Sequence, residues 1–269
     1  MLKQKQIIEA VQEACEQDEQ VTSCMMYGSF TKGEGDQYSD VEFYIFIDDP
    51  SFETFQSKHW VANIAPYDLM FFNEYGTEVV IFSNLIRGEF HFLPASKIEI
   101  IKSFKPTGVF PDTNSMFIYD NTGMLREYLD DLGGKGPERL TDENVSFAFH
   151  NFVNAWLLGI NVMRRGELAR SLEVLTYVQK YMLQLLRINE QNVERWLNST
   201  KNLERDLSPE AYEDYTLITA RLRKEELEQA YTHALMLADK LRKQLEPHYD
   251  FDVDEKMIGK LRDYLSQTE

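Results

Sequence analysis

The chain has 269 residues, 43% of them hydrophobic, and a formal net charge of -17. This length and composition suffice for one large domain or two smaller ones. The negative charge argues against a nucleic-acid partner, because such binding depends on lysine and arginine side chains that neutralise phosphates. It is compatible with a cationic small molecule as substrate.

The cysteine content and the amino terminus indicate a cytoplasmic protein. Cys15 and Cys24 have no metal-ligand spacing, and two thiols in a chain of this length are typical of a reducing compartment. The segment MLKQKQIIEAVQEA follows an amphipathic helix pattern and lacks the apolar core of a signal peptide. No later stretch approaches the roughly 18 apolar residues that a bilayer span needs, so we expect no membrane association.

The predicted elements of the first half are one helix followed mainly by strands. Residues 3–17 have the apolar spacing of a helix, and a polar break separates them from VTSCMMYGS. From there to about residue 120 the pattern indicates strands with short breaks. VEFYIFID is one strand, a helix is expected over roughly residues 52–64, PYDLMFFNEYGTEVVIF is typical of a hairpin turning at residues 74–76, and RGEFHFL is a further strand.

The segment LGGKGPERLTDEN marks a change to helical sequence. Thr141 is placed to cap a helix whose first turn contains Asp142 and Glu143. Apolar residues then recur every three or four positions in two successive helices, and further helices are expected to begin near residues 208, 224 and 254. We therefore predict an α/β (α+β) domain with a small mixed sheet over residues 1–132, followed by an all-α helical bundle over residues 140–269.

Two acidic residues accompany the hydrophobic strand VEFYIFID. Asp40 and Glu42 are two residues apart, so they project from one face of the strand while Val41 and Phe43 project from the other. Two unpaired carboxylates side by side are costly to bury, and a divalent cation between them removes that cost. Hard oxygen ligands suit Mg²⁺. Asp40 and Glu42 are therefore predicted metal ligands.

A glycine–serine turn precedes this acid pair by ten residues. Gly28 allows backbone N–H groups to approach a phosphate, Ser29 supplies a further donor, and Lys32 adds positive charge. Together with the acid pair, this turn predicts a site for a nucleoside triphosphate and magnesium. The P-loop and GxGxxG patterns are absent. The alternative is a glycine turn in a hairpin whose acids face solvent.

The spacing of Gly28-Ser29, ten residues and Asp40-Val41-Glu42 resembles the pattern of the DNA polymerase beta-like nucleotidyltransferase superfamily. YGSFTKGEGDQYSD, NEYGTEVVIF, LIRGEFHFLP and RRGELARSLE resemble a lincosamide nucleotidyltransferase, and the likeness extends over nearly the whole chain. The resemblance implies an antibiotic-resistance enzyme that transfers AMP from ATP to a hydroxyl of lincomycin or clindamycin and releases pyrophosphate. It also implies two Mg²⁺ ions, bound by Asp40 and Glu42, and a homodimer.

Superfamily members of this kind use a third carboxylate, which takes the proton of the attacking hydroxyl or shares a metal ion. Glu89 is the favoured candidate, because it shares one face of RGEFHFL with His91 while Phe90 and Phe92 lie on the other. The resemblance also points to Glu89. The rival is Glu78, for which a solvated position near a sheet end is the simpler interpretation. His91 is interpreted as a hydrogen-bonded structural histidine rather than a second base.

An arginine is expected to join Lys32 in binding the triphosphate, because a guanidinium forms bidentate contacts with phosphate. Arg170 is the candidate, and an ordinary solvated helix arginine is an equally good interpretation of it. Arg165 and Arg87 are weaker candidates. No pattern of Ser/His/Asp or Cys/His supports a covalent enzyme intermediate.

Two alternative functions remain open from the residues. One is the same reaction on an aminoglycoside or another hydroxyl acceptor. The other is a nucleotide-binding module without catalysis, which would lack the third carboxylate.

Overall fold

The computed structural model describes residues 1–267. The chain divides into two compact units, Met1–Pro137 and Glu138–Glu269. The division falls within the glycine- and proline-containing segment at which the sequence changes to a helical pattern.

A six-stranded mixed sheet forms the centre of the first unit. Its strands are β1 (Val21–Tyr27), β2 (Val41–Ile47), β3 (Tyr67–Phe72), β4 (Glu78–Phe82), β5 (Arg87–Pro94) and β6 (Phe117–Asp120). Their order across the sheet is β3-β4-β5-β2-β1-β6. Strands β2 and β5 are parallel, and the other neighbours are antiparallel. This mixed sheet confirms the fold class predicted for the first half.

The helices of the first unit differ from the predicted ones in length and in number. They are α1 (Lys3–Gln17), α2 (Asp49–Phe52), α3 (Ser57–Ala62), α4 (Met124–Leu132) and 3₁₀ helices at Ser29–Lys32, Ala95–Thr107 and Asn114–Met116. The single helix expected over residues 52–64 is wrong. The chain turns between α2 and α3, and this turn brings Phe55 to 5.2 Å, between ring centroids, from Phe92.

Each face of the sheet packs against a different set of helices. Val41, Phe43 and Ile45 lie with apolar residues of α1 and α3 in one core. Met25 and Phe46 lie on the opposite face, in a core with the Ala95–Thr107 helix and α4. Neither of these two helices was predicted. Their buried apolar residues cover the second face, and each fully buried large side chain contributes about 1.5–3 kcal/mol to stability.

The second unit consists of helices, as the sequence predicted. They are α5 (Asp142–Arg164), α6 (Leu168–Asn189), α7 (Leu203–Asp206), α8 (Pro209–Thr216), α9 (Lys224–Leu245) and α10 (Glu255–Ser266). The Thr141 side chain caps α5 by accepting a hydrogen bond from the Asn144 N–H at 3.2 Å, as expected. Trp156 is fully buried, and its Nε1–H donates to the Tyr231 carbonyl at 2.8 Å. The aromatic residues of α5 thus form the bundle core.

A buried arginine organises the segment that follows α6. Arg187 has no exposed side-chain surface, and its Nη1 lies 3.2 Å from Asp206 Oδ2. Its guanidinium also donates to the carbonyls of Ser199 and Lys201 at 2.9 and 3.0 Å.

Over residues 1–267, no helix combines the length and the apolar content that crossing a bilayer requires.

Candidate functional site

Strands β1, β2 and β5 bring polar side chains together on one face of the sheet. Tyr27 is the register partner of Glu42 across β1 and β2, and Glu42 is the partner of Glu89 across β2 and β5. Tyr44 and His91 form the next pair. Register partners on adjacent strands point to the same face, so these five side chains are neighbours. The parallel pairing of β2 with β5 therefore places the predicted third carboxylate beside the predicted metal ligand.

Glu42, Glu89 and His91 form a compact cluster of possible metal ligands. Each offers one ligand atom, and these atoms all lie within 4.8 Å of one another. The side chains are only 19%, 19% and 21% exposed. Two partly buried carboxylates at this separation repel each other unless a cation lies nearby. The cluster is therefore suited to a divalent cation.

The His91 ring is held in place, yet one of its nitrogens has no partner. The imidazole stacks on the Tyr44 ring with centroids 4.1 Å apart and planes 1° from parallel. Its Nε2 lies 3.7 Å from Glu42 Oε1, beyond hydrogen-bond distance. This buried nitrogen has no hydrogen-bond partner within the described part of the chain. At Nε2, the expectation of a hydrogen-bonded structural histidine is wrong.

Asp40 lies directly before β2 and contacts an arginine rather than the ligand cluster. Arg87, the first residue of β5, donates from Nη1 to Asp40 Oδ2 at 2.7 Å. Its Nη2 donates to Glu89 Oε1. The guanidinium thus bridges two of the three acids and neutralises part of their charge. Sequence reasoning ranked Arg87 low, although its position two residues before Glu89 on a strand already placed both on one face.

The Gly28–Ser29 turn is adjacent to these acids. Gly28 has φ +90° and ψ -155°, a conformation that favours glycine. A Cβ atom at this position would lie 3.7 Å from Glu42 Oε2, which places the turn beside the Glu42 carboxylate. Thr31 Oγ1 donates to the Gly28 carbonyl at 2.8 Å and fixes the turn.

The Ser29 hydroxyl is buried and unsatisfied. Its Oγ has no hydrogen-bond partner among residues 1–267. Leaving such a group unpaired costs about 1–3 kcal/mol, so unpaired buried groups are rare unless a ligand supplies the partner. A phosphate oxygen is a suitable acceptor. Ser29 and His91 are two of the five buried polar groups without a partner in the described residues, and they are the two that lie near Glu42, where a phosphate and a cation would satisfy them.

The two remaining predicted phosphate ligands lie in different units. Lys32 ends the 3₁₀ helix that follows Gly28, and its Nζ is 5.6 Å from the Phe110 ring centroid. Arg170 lies on α6 in the second unit, where Nη1 is 3.4 Å from Glu167 Oε2 and the side chain is 57% exposed. Phosphate binding by either residue stays a prediction.

Glu78, the rival for the third carboxylate, lies on the opposite face of the sheet. It is the register partner of Phe90, the residue after Glu89. Its side chain is buried and accepts a hydrogen bond from Ser57 Oγ at 2.9 Å. Burial raises the pKa of the Glu78 carboxyl above its usual value. The interpretation of Glu78 as a solvated acid is therefore wrong, and of the two candidates Glu89 is the one beside Glu42.

The tyrosines next to the acids remain protonated. Burial raises the pKa of the Tyr44 phenol, and the negative charge of Glu42 raises it further. Burial likewise raises the pKa of the Tyr27 phenol; a hydrogen bond with Thr107 lowers it by less, and the charge of Glu42 raises it further. Both side chains therefore keep their hydroxyl protons at neutral pH and can serve only as neutral donors or acceptors.

Comparison with known proteins adds evidence on the family. Residues 141–264 match the family model described as the lincosamide nucleotidyltransferase-like, C-terminal domain. No curated protein has a sequence that matches the chain significantly.

Two solved structures, an adenyltransferase and a nucleotidyltransferase-like protein, align over most of the chain. An aminoglycoside 6-adenyltransferase from Bacillus subtilis aligns over 98% of each chain with 13% identity and a TM-score of 0.46. A nucleotidyltransferase-like protein from Exiguobacterium sibiricum aligns over 97% of this chain and 87% of its own, with 14% identity and a TM-score of 0.38. The family match by itself confirms the predicted resemblance: residues 141–264, in the second unit, are similar to the lincosamide nucleotidyltransferase-like C-terminal domains.

Proposed function

We propose that the chain transfers AMP from ATP to a hydroxyl group of a lincosamide such as lincomycin or clindamycin, and thereby inactivates the antibiotic. The observation that carries the reaction class is the position of the Gly28–Ser29 turn beside Glu42, with Glu89 on the adjacent strand. The family match of the second unit supports a lincosamide as the acceptor.

The turn and the first two acids are proposed to bind the triphosphate. Ser29 Oγ and the backbone N–H groups after Gly28 donate to phosphate oxygens, and Lys32 adds positive charge. Asp40 and Glu42 supply the hard oxygen ligands that Mg²⁺ requires. Two bound Mg²⁺ ions would neutralise the triphosphate and the departing pyrophosphate.

Glu89 is proposed as the general base. Its carboxylate accepts the proton of the acceptor hydroxyl, whose oxygen then forms a bond to the α-phosphorus of ATP. The bond between the α-phosphorus and the bridging oxygen to the β-phosphorus breaks, and pyrophosphate leaves with that electron pair. The position of Glu89 beside Glu42 supports this role, since proton transfer and phosphate binding then occur on the same face.

Arg87 is proposed to bind phosphate when ATP is present. In the structure its guanidinium lies between Asp40 and Glu89, and its side chain is 42% exposed. Ion pairs this exposed contribute only about 0–1 kcal/mol each, so a phosphate can compete for the guanidinium. Movement of Arg87 would also release Asp40 for the metal and Glu89 for the acceptor.

The test is incubation of the protein with magnesium-ATP and a panel of lincosamides and aminoglycosides, followed by mass spectrometry. We expect an added adenylyl group on lincomycin and clindamycin. If only aminoglycosides were modified, the proposed reaction class would stand, and the acceptor would be an aminoglycoside instead of a lincosamide. Absence of any modified drug would contradict the proposal.

A variant tests the general base. Glu89→Gln should lower kcat by about 10²–10⁴-fold, because proton abstraction is lost. Magnesium-ATP binding, measured by calorimetry, should remain, because the glutamine amide keeps an oxygen that can bind the ion. Glu99→Gln is the matched control, since Glu99 is exposed on the Ala95–Thr107 helix of the same unit. Activity of Glu89→Gln equal to that of the control would exclude Glu89 as the base.

The oligomeric state and location are proposed on the resemblance and composition. We propose a cytoplasmic homodimer. Light scattering coupled to size-exclusion chromatography measures the mass directly, and a mass near the 31.6 kDa of one chain would exclude the dimer.

A further inference from the structure

We propose that His91 is a direct ligand of one of the two divalent cations, which it binds through Nε2 together with Glu42 and one carboxylate oxygen of Glu89, whose other oxygen stays available for the acceptor proton. Asp40 and Glu42 hold the other ion, so that Glu42 lies between them. This inference rests on the proposed function only in that the ion belongs to the same site.

The distances within the cluster favour one shared ion. Donor atoms bound at about 2.1 Å to a single octahedral ion are about 3–4 Å apart. The distance from His91 Nε2 to Glu42 Oε1 is 3.7 Å, within that range. All three donors lie within 4.8 Å of one another, so small side-chain rotations suffice to close the site.

The state of the His91 nitrogen supports a metal rather than a structural role. A buried imidazole nitrogen normally makes a hydrogen bond, and Nε2 makes none with the described residues. Stacking on Tyr44 fixes the plane of the ring and so directs Nε2. The side chain as a whole is 21% exposed, so the cluster lies close to the protein surface.

An imidazole ligand changes the metal preference of the site. Magnesium favours oxygen ligands, whereas first-row transition metals accept an imidazole nitrogen more readily, with Mn²⁺ the weakest of that series. We therefore expect this position to bind Mn²⁺ more tightly than Mg²⁺. The position between Asp40 and Glu42 has oxygen donors alone and lacks this preference.

The experiment uses Mn²⁺ alone, without nucleotide or acceptor, on the full-length protein. Electron spin echo envelope modulation of bound Mn²⁺ detects a coordinated imidazole through its ¹⁴N nucleus. We expect this modulation in the wild-type protein. If bound Mn²⁺ shows no ¹⁴N modulation, the inference is overturned without any variant.

Variants identify the histidine. His91→Phe keeps an aromatic ring against Tyr44 and removes the nitrogen, so the modulation should disappear and Mn²⁺ should bind about tenfold more weakly or worse. The preference for Mn²⁺ over Mg²⁺ should fall as well. His59→Gln is the matched control, because His59 lies on α3 in the same unit and should leave the signal unchanged. Modulation that persists in His91→Phe, or that is lost in His59→Gln, would assign the ligand elsewhere.

The outcome is independent of turnover. A histidine-ligated Mn²⁺ in a protein that modifies no drug would keep this inference and reject the proposed function. Lincosamide modification without histidine ligation would keep the proposed function and reject this inference.

Discussion

Arg87 lies where a metal ion would otherwise neutralise the acids, so its removal should strengthen metal binding to the nucleotide-free protein. Its guanidinium contacts Asp40 and Glu89, and a cation that binds these carboxylates must displace it. In Arg87→Met the acids lose their internal partner. We expect Mn²⁺ to bind this variant more tightly than the wild-type protein.

The size of the effect follows from the exposure of the two ion pairs. The side chains of Arg87 and Asp40 are both 42% exposed, and that of Glu89 is 19% exposed. Exposed pairs contribute about 0.2–1 kcal/mol, and the less exposed pair belongs near the upper end. Together they contribute about 1–1.5 kcal/mol, which corresponds to roughly tenfold in a dissociation constant.

Titration of Mn²⁺ followed by electron paramagnetic resonance measures this affinity. Arg126→Met is the matched control, since it removes the same charge from the same unit while Arg126 contacts Asn114 and the Phe117 ring. The comparison cancels the long-range effect of one lost positive charge. The gain should shrink at high salt, because these pairs are partly solvated.

Equal Mn²⁺ affinity in Arg87→Met and Arg126→Met would refute the reasoning, as would weaker binding in Arg87→Met. Either result would mean that Arg87 does not compete with the ion. A second measurement separates competition from phosphate binding. With Mg²⁺ saturating, Arg87→Met should bind ATP more weakly, because the proposed phosphate contact is lost.

Three further outcomes concern stability. Gly28→Ala should lower the free energy of unfolding in urea by about 1–2 kcal/mol, because alanine is strained at φ +90°. The wild-type protein should lose stability as pH rises through the range in which Glu78 ionises. Glu78→Gln should abolish this loss. The folded-state pKa of Glu78 lies above the unfolded value, so the folded protein loses stability through the interval between the two; melting temperatures across that interval test this. Arg187→Met should cost about 1–3 kcal/mol, because the carbonyls of Ser199 and Lys201 lose their buried donor while Asp206 keeps its hydrogen bond from Arg195, and a melting temperature near the wild-type value would contradict this.

The amino-acid sequence by itself determined the local features of the site. Strand alternation predicted that Glu42 points to the other face of β2 from Val41 and Phe43. In the structure, Val41 and Phe43 are buried in the core, in agreement with this prediction. The glycine at position 28 indicated the turn, and Thr141 indicated the start of the bundle. These features depend on residues close in the chain, so a single sequence contains the information.

Only the tertiary structure decided which strands are neighbours. Glu42 and Glu89 are 47 residues apart in the chain, and their contact depends on the parallel pairing of β2 with β5 in one register. Strand pairing is fixed by the packing of the whole sheet, and local sequence patterns do not specify the partner. The pairing of β4 with β5 put Glu78 on the opposite face, and the pairing of β2 with β5 brought Arg87 to Asp40. The acids could therefore be predicted one by one, whereas their arrangement with Arg87 and His91 required the folded sheet.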